Sequence, residues 1–413
     1  MEPKLLDHLF RHHSGKMVSV LTRIFGLAHL ETIEDAVQDT FVAAALKWRN
    51  KVPDSPEAWL TQAAKNRVLD IFRKLKSEKK HIPHFQNAKE GLALNELFLD
   101  TEIEDAQLRM IFTACHPSLD GRDRIAFALK TVSGFSSKEI ASALLMKDDS
   151  IKKRLSRARK VIKQKEVLFN IPEGALLPER LESVMEVLYL IFNEGFHSNK
   201  KTQLVRKELC GEAMRLCKML LKNERTRSSA VYALFALMCF HSSRLESKTN
   251  GNNELLDLKN QDRSKWHWPL IELGNSMMHK AVEDDNYSCY HYEAAIAAEH
   301  LRAYTYESTN WDEILHWYHC LHKLQPMPSH LLNMAVVSME AHNYGVAFQY
   351  LNQLKPEQLN QRSYLYYATL SEYYWRIQNY DLALEHIHTA LELVTNELER
   401  KYLEKKKLEM ILG

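Results

Sequence analysis

Nine basic side chains and two acidic ones fall between Lys147 and Lys165, a stretch that runs DDSIKKRLSRARKVIKQK from Asp148. Ser150, Lys152, Lys153, Ser156 and Arg157 offer hydroxyl, ammonium and guanidinium groups, which hydrogen-bond phosphates and base edges in a DNA major groove. A helical period places Ile151, Leu155, Ala158 and Ile162 together on another face. Upstream, Ser136 and Ser137 stand where hydroxyls cap a helix, one whose inward face would be Ile140, Ala141 and Leu144. A short turn around Met146 and Lys147 follows. Asp148, Asp149 and Ser150 are then expected to supply cap and first-turn chemistry for the second helix. Two short helices with a tight turn and a basic second member make a helix-turn-helix. A solvated charged helix is the alternative, and the cap, the turn and the polarity together favour DNA.

The residues ahead of this motif must position it. Residues 4–76 read as four helices with no β signal. Between Glu34 and Trp48, Ala36, Phe41, Ala44 and Trp48 can face a core, while Asp35, Gln38 and Asp39 form a polar edge one turn long. A loop from Arg49 to Ser55 is broken by Pro53. The next helix starts with Pro56 in its first turn. Its spacing buries Trp59, Leu60, Ala63, Val68 and Phe72, and shows Lys65, Asn66, Arg67, Arg73 and Lys74 to solvent.

The D-x-x-Q-D-x-F pattern at Asp35–Phe41, the W-L-x-x-x-A-x-N-x-x-x-D pattern at Trp59–Asp70 and a helix-turn-helix about 70 residues later resemble bacterial RNA polymerase sigma factors of the extracytoplasmic-function type. The remainder, with LPERLESVMEVLYLIFNEGF at 177–196 and QDRSKW at 261–266, resembles the subgroup with a long C-terminal extension. The resemblance implies an all-α fold: a first domain at 1–78, an acidic linker at 79–106, a helix-turn-helix domain at 107–168, and a helical extension at 175–413. It further implies two partners, RNA polymerase core enzyme and promoter DNA. Asp35, Gln38, Asp39 and Phe41 would dock on the clamp coiled coil of the β′ subunit. Asn66, with Lys65, Arg67, Arg73 and Lys74 on the same helix, would hold the unwound −10 element, and the loop Lys51–Ser55 would capture a flipped-out base. Ser150, Lys152, Lys153, Ser156 and Arg157 would read the −35 element. No exposed aromatic pair stands on the helix from Pro56 to wedge the duplex open, which implies a narrow promoter class.

Composition agrees with this reading. The chain has 413 residues and a formal net charge of +2, so a nucleic-acid surface must be local. Only 12 glycines and 11 prolines interrupt the helical spacing. The six cysteines form no CxxC pair and read as reduced, mostly buried thiols, and neither a metal site nor a cofactor is expected. With no signal peptide and no spanning segment, the sequence points to a cytoplasmic protein without a membrane partner.

From Gly91 to Leu108 there are five acids and no base, read either as a solvated linker or as an acidic tether through a basic channel. The helix Pro178–Phe196 reads as buried all round. Asn193 and Glu194 at its end suggest a cap or an interdomain hydrogen bond, and Asp262 and Arg263 an ion pair. Tyr344-Gly345-Val346-Ala347 recurs as Tyr380-Asp381-Leu382-Ala383, an offset of 36 residues, close to the 34 of a tetratricopeptide repeat. Such helix pairs stack into a concave surface able to take a protein partner, or to dock within the molecule and regulate it. The His- and aromatic-rich segments there are explained by core packing, without catalytic spacing. Two rival functions remain: a free-standing helix-turn-helix regulator with a helical-repeat sensor domain, which leaves the Asp35–Phe41 edge unexplained, and a scaffold without DNA binding.

Overall fold

The structure, a computed structural model, describes residues 3–48, 52–78, 100–144, 146–196, 206–248 and 256–412. These contain eighteen α-helices, a few 3₁₀ turns and no β-strand, the all-α architecture expected. The chain divides into two compact units, residues 1–191 and 192–413.

In the first unit, three α-helices and a 3₁₀ turn at Leu27–His29 occupy the span read as four helices. Helix α1 (Pro3–Phe25) ends at Gly26, whose φ of 92° is a left-handed conformation that suits glycine. Helix α2 (Leu30–Lys47) buries Ile33, Ala36, Val37, Phe41 and Ala44, and Phe41 meets Phe10 of α1 edge-on at 4.8 Å between ring centroids. Trp48 meets Trp59 of α3 (Pro56–Glu78) at 5.3 Å, also edge-on. Such pairs contribute roughly 0.5–1.5 kcal/mol beyond the area they bury. Trp59 is half-buried, and the side chain of Phe72 lies outside the described residues.

The expected linker is shorter than its composition suggests. Residues 79–99 lie outside the described residues, but α4 (Asp100–Ala114) already begins at Asp100. Arg23 of α1 binds Glu102 at 2.5 Å and Asp105 at 3.1 Å, and Arg109 binds Asp105 at 2.7 Å. These pairs neutralise part of the acidic run and hold it as helix against α1.

Helices α5 (Gly121–Thr131), α6 (Ser137–Ala143) and α7 (Asp148–Gln164) complete the helix-turn-helix domain. This domain packs directly on the first. A Cβ at Gly15 of α1 would overlap the backbone carbonyl of Val132, so only glycine permits this approach. Helix α8 (Leu176–Phe196) is stapled to the same unit at its start: Arg180 donates to the Phe112 carbonyl at 2.6 Å and Ser183 to that of Cys115 at 2.7 Å. It is not buried all round, since Glu182, Glu186 and Leu190 are exposed.

The second unit holds α9 (Lys207–Lys222), α10 (Ser229–Ser243), α11 (Trp268–Ala281), α12 (Cys289–Arg302), α13 (Trp311–Leu324), α14 (Pro328–Glu340), α15 (Tyr344–Gln353), α16 (Tyr364–Arg376), α17 (Tyr380–Leu393) and α18 (Glu397–Leu412). Here α10 is the helix buried on nearly every side, with Val231 and the run Ala233–Phe240 all in the core. Four cysteines are buried and two half-buried, all of them free thiols. Asp262 and Arg263 do not pair with each other. Asp262 caps Ser264 at 3.0 Å and pairs with Lys265 at 3.8 Å. Arg263 stacks on Trp266 and donates to the carbonyls of His300 and Ala303 at the end of α12.

The repeat seen in sequence is a repeated cap. Asn343 accepts from the Val346 amide at the start of α15, and Asn379 from Leu382 at the start of α17. Each follows a left-handed residue, His342 at φ 58° and Gln378 at φ 63°. Asn310, 33 residues before Asn343, caps α13 in the same way through the Glu313 amide. The sequence reading missed this third copy because Asn-Trp replaces Asn-Tyr and the spacing changes. Helix hairpins built this way leave a cleft of about 1070 Å³ bordered by Trp311, Glu340, Trp375, Arg376 and Lys406. In its wall Arg376 binds Glu340 at 2.5 Å and, one turn back on its own helix, Glu372 at 2.8 Å, and Lys406 binds Glu372 at 2.8 Å. Burial alone would raise the Glu372 carboxyl pKa, but these two cations hold it below the usual range.

Candidate nucleic-acid interface

The helix-turn-helix is built by local chemistry. Ser136 caps α6: its hydroxyl accepts from the Glu139 amide at 3.2 Å while the Glu139 carboxylate accepts from the Ser136 amide at 2.8 Å. Ile140, Ala141 and Ala143 turn inward. The N-cap of α7 is Lys147, whose side chain makes no capping bond, so Asp148, Asp149 and Ser150 lie one position further into the helix than expected. Asp148 and Asp149 still sit in the first turn, where their charge favours the helix dipole. Asp148 also binds Lys152 at 2.8 Å, which raises the lysine pKa.

Ile151, Leu155, Ala158 and Ile162 form the buried face of α7. Lys152, Lys153, Ser156 and Arg157 are exposed and Ser150 is half-buried. Arg157 is not a loose surface cation. Its Nε donates to Asp123 Oδ2 at 2.5 Å and its Nη2 to Asp123 Oδ1 at 2.7 Å, while Arg154 Nη1 donates to Oδ1 at 2.7 Å. Asp123 of α5 is 2% exposed. Burial alone would raise its pKa, and the hydrogen bonds from Arg157 and Arg154 outweigh that and hold it low.

On α2, Asp35, Gln38 and Asp39 are exposed along one edge. Phe41 is 4% exposed, so it seats the helix on α1 and offers no surface of its own. The edge continues onto α3, where Arg67 Nη2 binds Asp39 Oδ2 at 2.9 Å. Asn66 is exposed and accepts from Gln62 at 3.0 Å, and Arg73 is exposed beside Asp70 at 3.3 Å. Lys65 departs from expectation. It is 6% exposed, and burial lowers its ammonium pKa. Its register is one position round from the polar face, so it turns toward α3's inner side. The side chain of Lys74 and all of Lys51 lie outside the described residues. Of the loop before α3, Val52 and Pro53 are half-buried, and Asp54 and Ser55 are exposed.

Sequence reasoning missed a contact between the two sets of residues. Arg159 of α7 donates to Glu34 of α2 at 2.5 Å and lies 3.8 Å from Glu31. Glu34 is buried, unlike its neighbour Asp35. No local signal marks it, since its partner lies 125 residues away.

Residues 9–78 match the Sigma-70 region 2 family, residues 109–162 the Sigma-70 region 4 family, and residues 180–282 a family of unknown function, DUF6596. An uncharacterized protein of Rhizobium meliloti (strain 1021) is 32% identical over 323 residues, 75% of this chain and 74% of that protein. The ferric citrate uptake sigma factor FecI of Escherichia coli (strain K12) is 28% identical over 152 residues, 37% of this chain and 85% of its own. The ECF RNA polymerase sigma factor SigE of Mycolicibacterium smegmatis (strain ATCC 700084 / mc(2)155) is 25% identical over 160 residues, covering 38% and 60% of the two chains.

Proposed function

The chain belongs to the sigma-70 family as an extracytoplasmic-function sigma factor with a long C-terminal extension, so it directs transcription initiation by RNA polymerase core at promoters, and we propose a division of that work among its surfaces. The exposed edge Asp35, Gln38 and Asp39 docks on the β′ clamp coiled coil, with Phe41 holding the helix from beneath. Asn66, Arg67 and Arg73 face the unwound −10 strand. Ser150, Lys152, Lys153, Ser156 and Arg157 face the −35 duplex. The observation that carries this reading is α7, a helix with four apolar residues buried and a basic face exposed behind a capped partner and a tight turn. The factor works by binding alone.

The packing of the two domains adds a requirement. Promoter elements near −10 and −35 are separated by roughly 20 base pairs or more, about 70 Å at 3.4 Å per base pair. Within the first unit α7 touches α2 through Arg159 and Glu34, and α5 ends against α1 at Gly15. Both elements can be held at once only after this packing parts. Core binding along the edge beside Glu34 is the event suited to part it.

The extension regulates the sigma core in cis. Two features support that reading. Helix α8, which opens the extension, is bonded to α4 and α5 at its start. The hairpins beyond it carry a large cleft lined by both charged and aromatic side chains, suited to a protein segment. A coupling of about 1–3 kcal/mol would change promoter occupancy roughly 5- to 150-fold. The test of the whole reading is reconstitution of purified full-length protein with core polymerase on a defined promoter, comparing wild type with Gln38→Ala/Asp39→Ala and Lys153→Ala. Loss of core binding in the first and of −35-dependent initiation in the second is the expected pattern.

A further inference from the structure

Arg157 presents two edges, and the protein uses only one of them. A guanidinium carries five N–H donors in a planar fork. Asp123 takes the Nε–H and one Nη2–H, at 2.5 and 2.7 Å, leaving the two N–H groups of Nη1 and the second of Nη2. Of these three, the Nη2–H and one Nη1–H form the end-on edge, the geometry that binds two adjacent acceptors such as guanine O6 and N7. The Arg157 side chain is 56% exposed while the carboxylate that grips it is 3% exposed. Asp123 is itself fixed from a second side by Arg154, whose side chain is 18% exposed and whose Nη1 lies 2.7 Å from Oδ1. One buried carboxylate is thus clamped between two guanidiniums, one mostly interior and one facing out.

We propose that Asp123 is the positioning residue for −35 recognition: from α5 it fixes the guanidinium of Arg157 so that its end-on edge meets a guanine in the major groove. The proposal rests on the reading of Arg157 as a −35 contact. Arginine has many rotamers, and holding one of them in advance removes an ordering cost that an unrestrained side chain meets on binding. It also narrows the bases that the side chain can satisfy. Asp123 touches no DNA in this scheme and acts wholly through Arg157, with Arg154 keeping the buried carboxylate ionised and in place.

The experiment is a thermodynamic cycle in full-length protein with core polymerase. Asp123→Ala, Arg157→Ala and the double variant are assayed for initiation on promoters carrying each single-base change across the −35 element. Arg157→Ala should flatten preference at one base pair, by roughly 5- to 150-fold. Asp123→Ala should flatten the same base pair, and the double variant should lose no more than Arg157→Ala alone, because the two act as one unit. Initiation by Asp123→Ala on a template with a pre-opened −10 bubble and no −35 element should match wild type. If Asp123→Ala fails to fold by circular dichroism, the isosteric Asp123→Asn carries the comparison. Arg157→Ala with intact discrimination would remove the underlying −35 assignment. An affected Arg157→Ala beside an unaffected Asp123→Ala would overturn the positioning role. Additive losses, a loss equal on all promoters, or tighter −35 use by Asp123→Ala would overturn it too, the last by showing that Asp123 sequesters the arginine.

Discussion

Glu34 of α2 and Arg159 of α7 lie 125 residues apart in sequence and meet through a carboxylate–guanidinium bond of 2.5 Å. The carboxylate is 6% exposed and the guanidinium 23%. A pair this sheltered is screened little by salt and is costly to break from one side. It ties the helix proposed to dock polymerase to the helix proposed to read −35 DNA. Arg159→Ala should therefore loosen the two domains without touching either binding face. The checking measurement is a distance between spin labels on α3 and α7, with a longer and broader distribution expected in the variant. Core binding should tighten in the same variant, since less packing has to part. An unchanged distribution would mean that Arg159 contributes nothing to closure.

Gln38→Ala with Asp39→Ala removes the exposed edge of α2 and the Asp39–Arg67 pair. Both side chains are exposed, so the folding cost should stay within about 0.5–1 kcal/mol. Co-purification with core enzyme should fall at least tenfold, and undiminished co-purification would remove the docking assignment.

Lys153→Ala should weaken −35-dependent initiation and reduce its salt dependence. No ion pair holds Lys153 among the described residues, in contrast to Lys152, which is bound to Asp148. A titration of duplex −35 DNA at several salt concentrations is the readout, and the slope of log K against log salt should shrink by about one phosphate contact.

Lys248 makes stability of the second unit depend on pH. Its Nζ donates to the Phe196 carbonyl at 2.7 Å, and burial, with Arg244 nearby, lowers its pKa to about 7 from 10.5. The unfolded chain therefore binds the extra proton between pH 7 and about 10.5, so stability should rise with pH across that window, by at most about 1.4 kcal/mol per unit. Lys248→Met removes this slope. The difference in unfolding midpoint between variant and wild type should favour the variant most near pH 7 and shrink toward pH 10. A difference independent of pH would show that Lys248 stays charged in the fold.

The bonds at the start of α8 bear on any truncation. A fragment ending at Lys165 lacks Arg180 and Ser183, which close on α4, and it exposes the surface that Leu181, Val184 and Met185 cover. It should melt well below a fragment ending at Phe196, by about 2 kcal/mol or more in unfolding free energy. Equal melting would mean that α8 adds nothing to the first unit.

Local chemistry in the sequence foretold much of this molecule. The Ser136 cap, the apolar stripe of α7 and the exposed Asp35–Asp39 edge each depend on residues within a turn or two. What it did not show depends on distance. Glu102 and Asp105 look like a solvated acidic run until Arg23 is seen against them, some 80 residues away. Lys65 looks like part of a basic face because one residue of helical register separates a buried lysine from an exposed one. Asp123 gave no local sign of its role, since both its partners lie on another helix. The third Asn cap, at Asn310, was hidden by a changed aromatic and a changed spacing.

Initiation in vitro tests the central claim most directly. Purified full-length protein is added to core polymerase with a promoter fragment drawn from upstream of its own coding region, and run-off transcript is measured. The account predicts a transcript of defined start that needs the protein, is lost in Gln38→Ala/Asp39→Ala, and changes its −35 preference in Arg157→Ala. Promoter DNA bound equally well with and without core polymerase, with no transcript formed, would contradict it and favour a free-standing regulator.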